Sequence, residues 1–110
     1  MKAGEIMLVP TPRLIDAYTR ALRPGEASDV KAMRKALAKA HGAEVTCPIY
    51  TGYHLRTVAE AAFAAHRSGE ALEAITPFWR VIDARSPTAG RLACGREFIA
   101  RRRREEGLAP

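Results

Sequence analysis

The chain has 110 residues, and 18 Lys and Arg against 12 Asp and Glu leave a formal charge of +6 with a pI near 9.9. That length is used up by one domain, which excludes a multidomain enzyme and predicts a single domain over residues 1–110, with 1–10 as a lead-in. Hydrophobic residues make up 47 %, but 21 of the 110 residues are Ala, which suits close helix packing more than a bulky core. No apolar run approaches the ~20 residues that cross a bilayer, and no charged-then-apolar leader opens the chain, so the expectation is a cytoplasmic protein without a membrane partner. Cys47 and Cys94 read as two thiols.

In chain order, Ile6–Val9 is a short apolar run, read either as a strand or as a segment laid on the core. Thr11-Pro12 reads as an N-cap followed by Pro at the first helical position, where its missing N–H is harmless. The stripe Leu14, Ile15, Tyr18, Ala21 and Leu22 continues that helix to Arg23, where Pro24-Gly25 stops it. Ser28 is the expected cap of a second helix with the stripe Val30, Met33, Ala36, Leu37 and Ala40, ended by Gly42. Lys31, Arg34, Lys35 and Lys39 decorate its other side, as solvated surface or as part of a phosphate-facing patch. Pro48 starts a third helix at or shortly after Ile49, with Leu55, Val58, Ala59, Ala62 and Phe63 inward, running to Arg67 before Ser68-Gly69.

Two helices joined by a short connection, the second carrying Tyr50, Thr51, Tyr53, His54 and Arg56 near its start, have the layout of a helix-turn-helix. Further on, Pro77-Phe78-Trp79-Arg80-Val81 holds the only Trp, and the turn-rich Ser86–Gly90 leaves Arg80–Asp83 and Arg91–Ala93 able to pair as a small wing. Gly95–Glu106 reads as a closing helix anchored by Phe98 and Ile99. Arg91, Arg96 and Arg101–Arg104, against Glu97 alone, form a basic cluster that either is solvated or positions phosphates.

The chemistry-bearing residues favour binding over turnover. His41, His54 and His66 lack metal-motif spacing with the cysteines, no Gly-rich phosphate loop occurs, and neither metal nor cofactor is expected. A positive balance biases partners toward polyanions, because each cation meeting a phosphate releases condensed counterions.

From Thr11 to Gly107 the order of motifs resembles the DNA-binding domain of the alkylguanine-DNA alkyltransferase (methylated-DNA-protein-cysteine methyltransferase) family, in its alkyltransferase-like branch. The residues that carry the resemblance are Arg23-Pro24-Gly25-Glu26, the helix pair over Ser28–Arg67, Pro77-Phe78-Trp79-Arg80-Val81, Gly90 and Gly95, and Glu106-Gly107. It implies a mainly α, winged helix-turn-helix domain with at most a small β-hairpin. It further implies a protein on double-stranded DNA that flags alkylated or damaged guanine and hands the site to other DNA-repair proteins; a monomer is expected. In the repair enzymes a loop Cys accepts the alkyl group. Here Phe78 stands at that position and Trp79 at that of its neighbouring His, so the loop cannot take the alkyl group. The family's Tyr aligns near Val30, and its base-replacing Arg near Ile49, leaving Ile49, Tyr50 or Tyr53 as the wedge.

The expected DNA contacts are therefore Tyr50, Thr51, Tyr53, His54, Arg56, Arg91 and Arg96, with Pro77, Phe78, Trp79 and Arg80 around a base. Phe78 and Trp79 are read either as core or as walls that stack a modified base, and Arg80 as fixing the loop through carbonyls or touching phosphate. Three other functions stay open: a helix-turn-helix regulator or architectural protein without lesion preference, an alkyl acceptor using Cys47 or Cys94, and a protein-interaction module.

Overall fold

The computed structural model describes residues 6–110, and the first five residues of the lead-in lie outside the described residues. Among the described residues, four helices, α1 (Pro12–Ala21), α2 (Val30–Ala40), α3 (Pro48–Arg67) and α4 (Gly95–Glu105), surround one apolar cluster. Two short strands, β1 (Met7–Leu8) and β2 (Val45–Thr46), pair in parallel with Met7 opposite Val45 and Leu8 opposite Thr46. The fold is thus mainly helical with a small two-stranded parallel sheet.

Local chemistry explains the helix starts. Thr11 Oγ1 accepts from the Leu14 N–H at 3.2 Å and Pro12 occupies the first turn, as the sequence predicts. At α2 the cap is Asp29 rather than Ser28: its carboxylate accepts from the Ala32 N–H at 2.7 Å, placing a negative charge on the positive end of the helix dipole. Ser28 is spent elsewhere, its N–H donating to the Arg80 carbonyl at 2.7 Å and its hydroxyl bonding Tyr18 Oη at 2.6 Å. The α2 stripe is also narrower than its apolar residues suggest. Met33, Leu37 and Ala38 are buried, whereas Val30, Ala36 and Ala40 are exposed.

The wing differs from expectation. Arg80–Asp83 and Arg91–Ala93 form no strands; the segment is a chain of turns with 3₁₀ turns at Phe78–Arg80 and Ala89–Arg91. The physical reason is internal. The N–H groups of Arg80, Val81 and Ile82 donate to the Pro77 and Phe78 carbonyls and those of Arg91 and Leu92 to the Thr88 and Ala89 carbonyls, so tight turns take the backbone groups that a ladder would need. Asp83 Oδ1 accepts from the Arg85 and Ser86 N–H groups at 2.9 and 2.8 Å and holds the link between them.

α1 packs on α3, and α4 closes over both 3₁₀ turns. Ile15, Met33, Leu55, Phe78 and Ile99 are fully buried and bring all four helices and the Phe78 turn into one core. No helix of the described residues is long and apolar enough to cross a membrane.

Candidate nucleic-acid interface

Large apolar side chains cluster outside at two places, along Ile6–Val9 and at the start of α3, and only the second carries aromatic rings. Ile49 is 66 % exposed, Tyr50 49 % and Tyr53 68 %. Apolar surface of this kind costs free energy in water unless something covers it. The helix begins at Pro48, and Cys47 supplies no side-chain cap. Thr51 Oγ1 donates instead to the Cys47 carbonyl at 2.6 Å and lies fully buried, so Thr51 braces the helix start and is removed from the expected contact surface. Tyr50 and the half-buried His54 stack at 5.8 Å between ring centroids, which fixes the orientation of the tyrosine ring.

Beside this face, Ile49, Gly52, Tyr53, Arg56, Thr88 and Arg91 line an open cleft of about 250 Å³. Nothing lies within 4 Å of where a Gly52 Cβ would stand, so the α3 backbone is directly approachable there. Arg56 makes one long hydrogen bond, from Nη2 to the Arg91 carbonyl at 3.5 Å. Neither the Arg56 nor the Arg91 guanidinium is in an ion pair among the described residues. The cleft is therefore cationic and aromatic on one side and closed by the Thr88–Arg91 turn on the other. Sequence reasoning named Tyr53, Arg56 and Arg91 but missed Thr88, which only the folding of the 83–91 turns brings to the helix.

The remaining arginines divide by what they hold. Arg96 is exposed as a residue, yet its Nη1 donates to the Ala84 and Ser86 carbonyls at 2.7 and 2.9 Å, tying the turns to α4. Arg103 is buried, donating to the Trp79 carbonyl at 2.7 Å and the Ala109 carbonyl at 2.6 Å. Arg104 pairs with Glu97 and Arg102 with Glu105. The cluster expected to face phosphate is thus mostly engaged within the fold.

The Pro77–Arg80 residues are built inward. Phe78 is fully buried and stacks on Phe98 at 6.0 Å, and Trp79, 4 % exposed, meets both rings edge-on. Their fastening is Glu106. Its carboxylate accepts from Trp79 Nε1 at 2.8 Å, from Arg80 Nε and Nη2 at 2.8 Å each, and from the Gly25 N–H at 3.1 Å. Burial alone would raise the Glu106 pKa, but the bonds from Arg80, Trp79 and Gly25, and the Arg80 charge, together bring it down to about 2. Gly25 reaches this carboxylate with φ +85, a conformation that a side chain would strain. Arg80 Nη1 adds a bond to the Leu22 carbonyl at 2.8 Å, so the loop-fixing role anticipated for Arg80 is the one its contacts describe. The hollow beside Pro77, Trp79 and Arg80 holds about 130 Å³ and opens toward Arg20, Leu72 and Glu73 rather than toward the α3 start.

Cys47 is buried, and burial together with the Glu60 charge pushes the Cys94 thiol up to about 11. A thiol that far from ionisation is a poor nucleophile. No protein-family model, curated protein or solved structure matches the chain.

Proposed function

We propose that this chain is a non-catalytic double-stranded DNA-binding protein that acts as the alkyltransferase-like proteins do, marking alkylated guanine for other repair proteins as a cytoplasmic monomer. The observation that carries the reading is the exposed Ile49–Tyr50–Tyr53 face with its Arg56–Arg91 cleft, on a chain of formal charge +6. Guanidinium groups uncommitted to acids release counterions from phosphate, and a tyrosine ring stacks on a base whatever its identity. With Phe78 and Trp79 packed as core, an extruded base is received by the α3 cleft, with Ile49 or Tyr53 as the wedge. In this reading the Asp83–Arg91 turns do the work of a wing, bringing Arg91 to the duplex beside α3.

The burial of Phe78 and Trp79 favours a second reading, a helix-turn-helix DNA binder without lesion preference. Fluorescence anisotropy with two duplexes differing in one O6-alkylated guanine, at several salt concentrations, tests both. Tighter binding of the alkylated duplex, with affinity falling as salt rises, supports lesion marking, and equal affinities support the second reading. Absence of salt-dependent affinity for either duplex overturns both. An alkyl-sized mass gain after incubation overturns the non-catalytic part.

A further inference from the structure

A second surface of the molecule is cationic and hollow, and it shares no lining residue with the α3 cleft. Lys31, Arg34, Lys35 and Ala38 of α2 and Glu44, Val45 and Thr46 beside them line a cleft of about 280 Å³. Lys31 and Lys35 are exposed, stand on successive turns about 6 Å apart along the axis, and have no ion pair among the described residues. Helix α2 itself contains no acid that could neutralise them.

Arg34 is different: its Nε and Nη2 donate to the Thr46 carbonyl at 3.0 and 2.9 Å, and Thr46 Oγ1 donates back to the Arg34 carbonyl at 2.8 Å. This clamp occupies the strand carbonyl that an added strand would use, so β-augmentation at Thr46 is blocked and recognition falls to side chains. The cleft combines the exposed Lys31 and Lys35 and the exposed Glu44 with an apolar part lined by the buried Ala38 and the half-buried Val45. The volume lies just below the roughly 300–1,000 Å³ range of small-molecule pockets, which suits one apolar side chain.

We infer that this α2–β2 cleft docks an acidic peptide segment of a partner protein, seating one apolar side chain on Ala38 and Val45 with flanking carboxylates on Lys31 and Lys35. Charge complementarity selects the class, and the apolar part favours a peptide over nucleic acid, because phosphates drawn to Lys31 and Lys35 would leave Ala38 and Val45 uncovered while a peptide side chain covers them. Glu44 opposes a uniform polyanion and fixes the direction in which the acidic segment lies. The inference stands independently of the DNA reading.

The test is an NMR titration of the ¹⁵N-labelled full chain with a capped dodecapeptide of glutamates interrupted by leucines, with an all-glutamate peptide of equal charge, and with a duplex. Saturable shifts centred on residues 31–38 and 45 are expected with the leucine-containing peptide. Binding should be weaker for the all-glutamate peptide and about tenfold weaker after K31E/K35E, with K31Q/K35Q intermediate. Lys31 and Lys35 are exposed, and amide dispersion in the free protein verifies that each double variant folds. Equal binding of the two peptides, shifts confined to other residues, or no saturable shift overturns the proposal. So does a duplex that moves the same amides while K31E/K35E lowers its salt slope, which would make the face a phosphate contact.

Discussion

Pro77–Arg80 and the first turns of α3 both carry aromatic rings beside arginine, yet the fold uses them in opposite ways. In the loop the polar side chains find internal partners: the Trp79 indole and Arg80 guanidinium converge on Glu106, and Phe78 packs against Phe98. At α3 the rings of Tyr50 and Tyr53 are left in water, and Arg56 and Arg91 have no acid partner among the described residues. The contrast teaches that residue type does not separate a site from a core; the distinction lies in whether the hydrogen-bonding capacity is already spent within the chain.

The strongest way to break this comparison is Phe78→Cys, which puts a thiol where the alkyl-accepting residue of the resembled enzymes would be. Removing most of a fully buried ring leaves a cavity and is expected to cost about 3 kcal/mol, read from the urea midpoint. The new thiol, enclosed by Phe98 and Trp79, should gain no alkyl mass from alkylated DNA. Alkyl transfer to that introduced thiol would show that the loop opens, and the two regions would no longer be opposites.

Glu106 offers a comparable effect by two routes. Glu106→Ala leaves the Arg80 cation and the Trp79 N–H without their acceptor, and the Arg80 and Glu106 side chains are only 11 % and 14 % exposed. A loss of about 3 kcal/mol is expected. The pH route has a fixed sign. The folded pKa is lowered from the ordinary 4.5 to about 2, so the contribution is complete above pH ~4.5 and is lost as pH falls toward 2. Urea midpoints across that window should drop in the native chain and stay flatter in Glu106→Gln. Equal slopes would remove Glu106 as the fastening.

Changes at the α3 face should spare stability and weaken DNA binding. Tyr53→Ala is expected to cost about 1–3 kcal/mol in duplex affinity if its ring stacks on a base. Arg56→Ala and Arg91→Ala should each reduce the salt slope by about 0.9 if each guanidinium neutralises one phosphate. Thr51→Val, by contrast, removes a buried brace and should lower stability more than it alters the salt slope.

Much of the helical frame was legible because its signals are local. Thr11-Pro12, Pro24-Gly25 and Pro48 act within one turn of themselves, and the α3 stripe buries Leu55, Val58, Ala59 and Ala62 as its spacing predicts. The features that moved depend on long-range partners or on competing local bonds. Ser28 lost the capping role to Asp29 because the Arg80 carbonyl and Tyr18 claim it, and the wing gave way to tight backbone turns linked by the Asp83 bonds. At the site, the exposure of Tyr50, Tyr53 and Arg56 agrees with their helical positions, whereas the engagement of Arg96 and Arg103 with carbonyls far along the chain leaves no sequence signature. The β1–β2 pairing is likewise nonlocal, joining the lead-in to the residues just before α3.

The smallest expected effect probes the turn that carries Arg91 to the cleft. A Cβ at Gly90 would lie 2.6 Å from Arg96 Nη2 and 3.1 Å from its Cζ. The clashing atoms end a flexible side chain, so Gly90→Ala is accommodated by swinging the guanidinium off the Ala84 and Ser86 carbonyls rather than by moving backbone. The loss should be about 1 kcal/mol of stability, the scale of the hydrogen bonds forfeited. Because Arg96 fastens the turns and Arg91 faces the cleft, the same variant should loosen the Thr88–Arg91 amides in hydrogen exchange and lower duplex affinity only slightly. A loss of affinity as large as that of Arg91→Ala would mean that Arg96 itself reaches the phosphates, and it would move that arginine from the satisfied region to the open one.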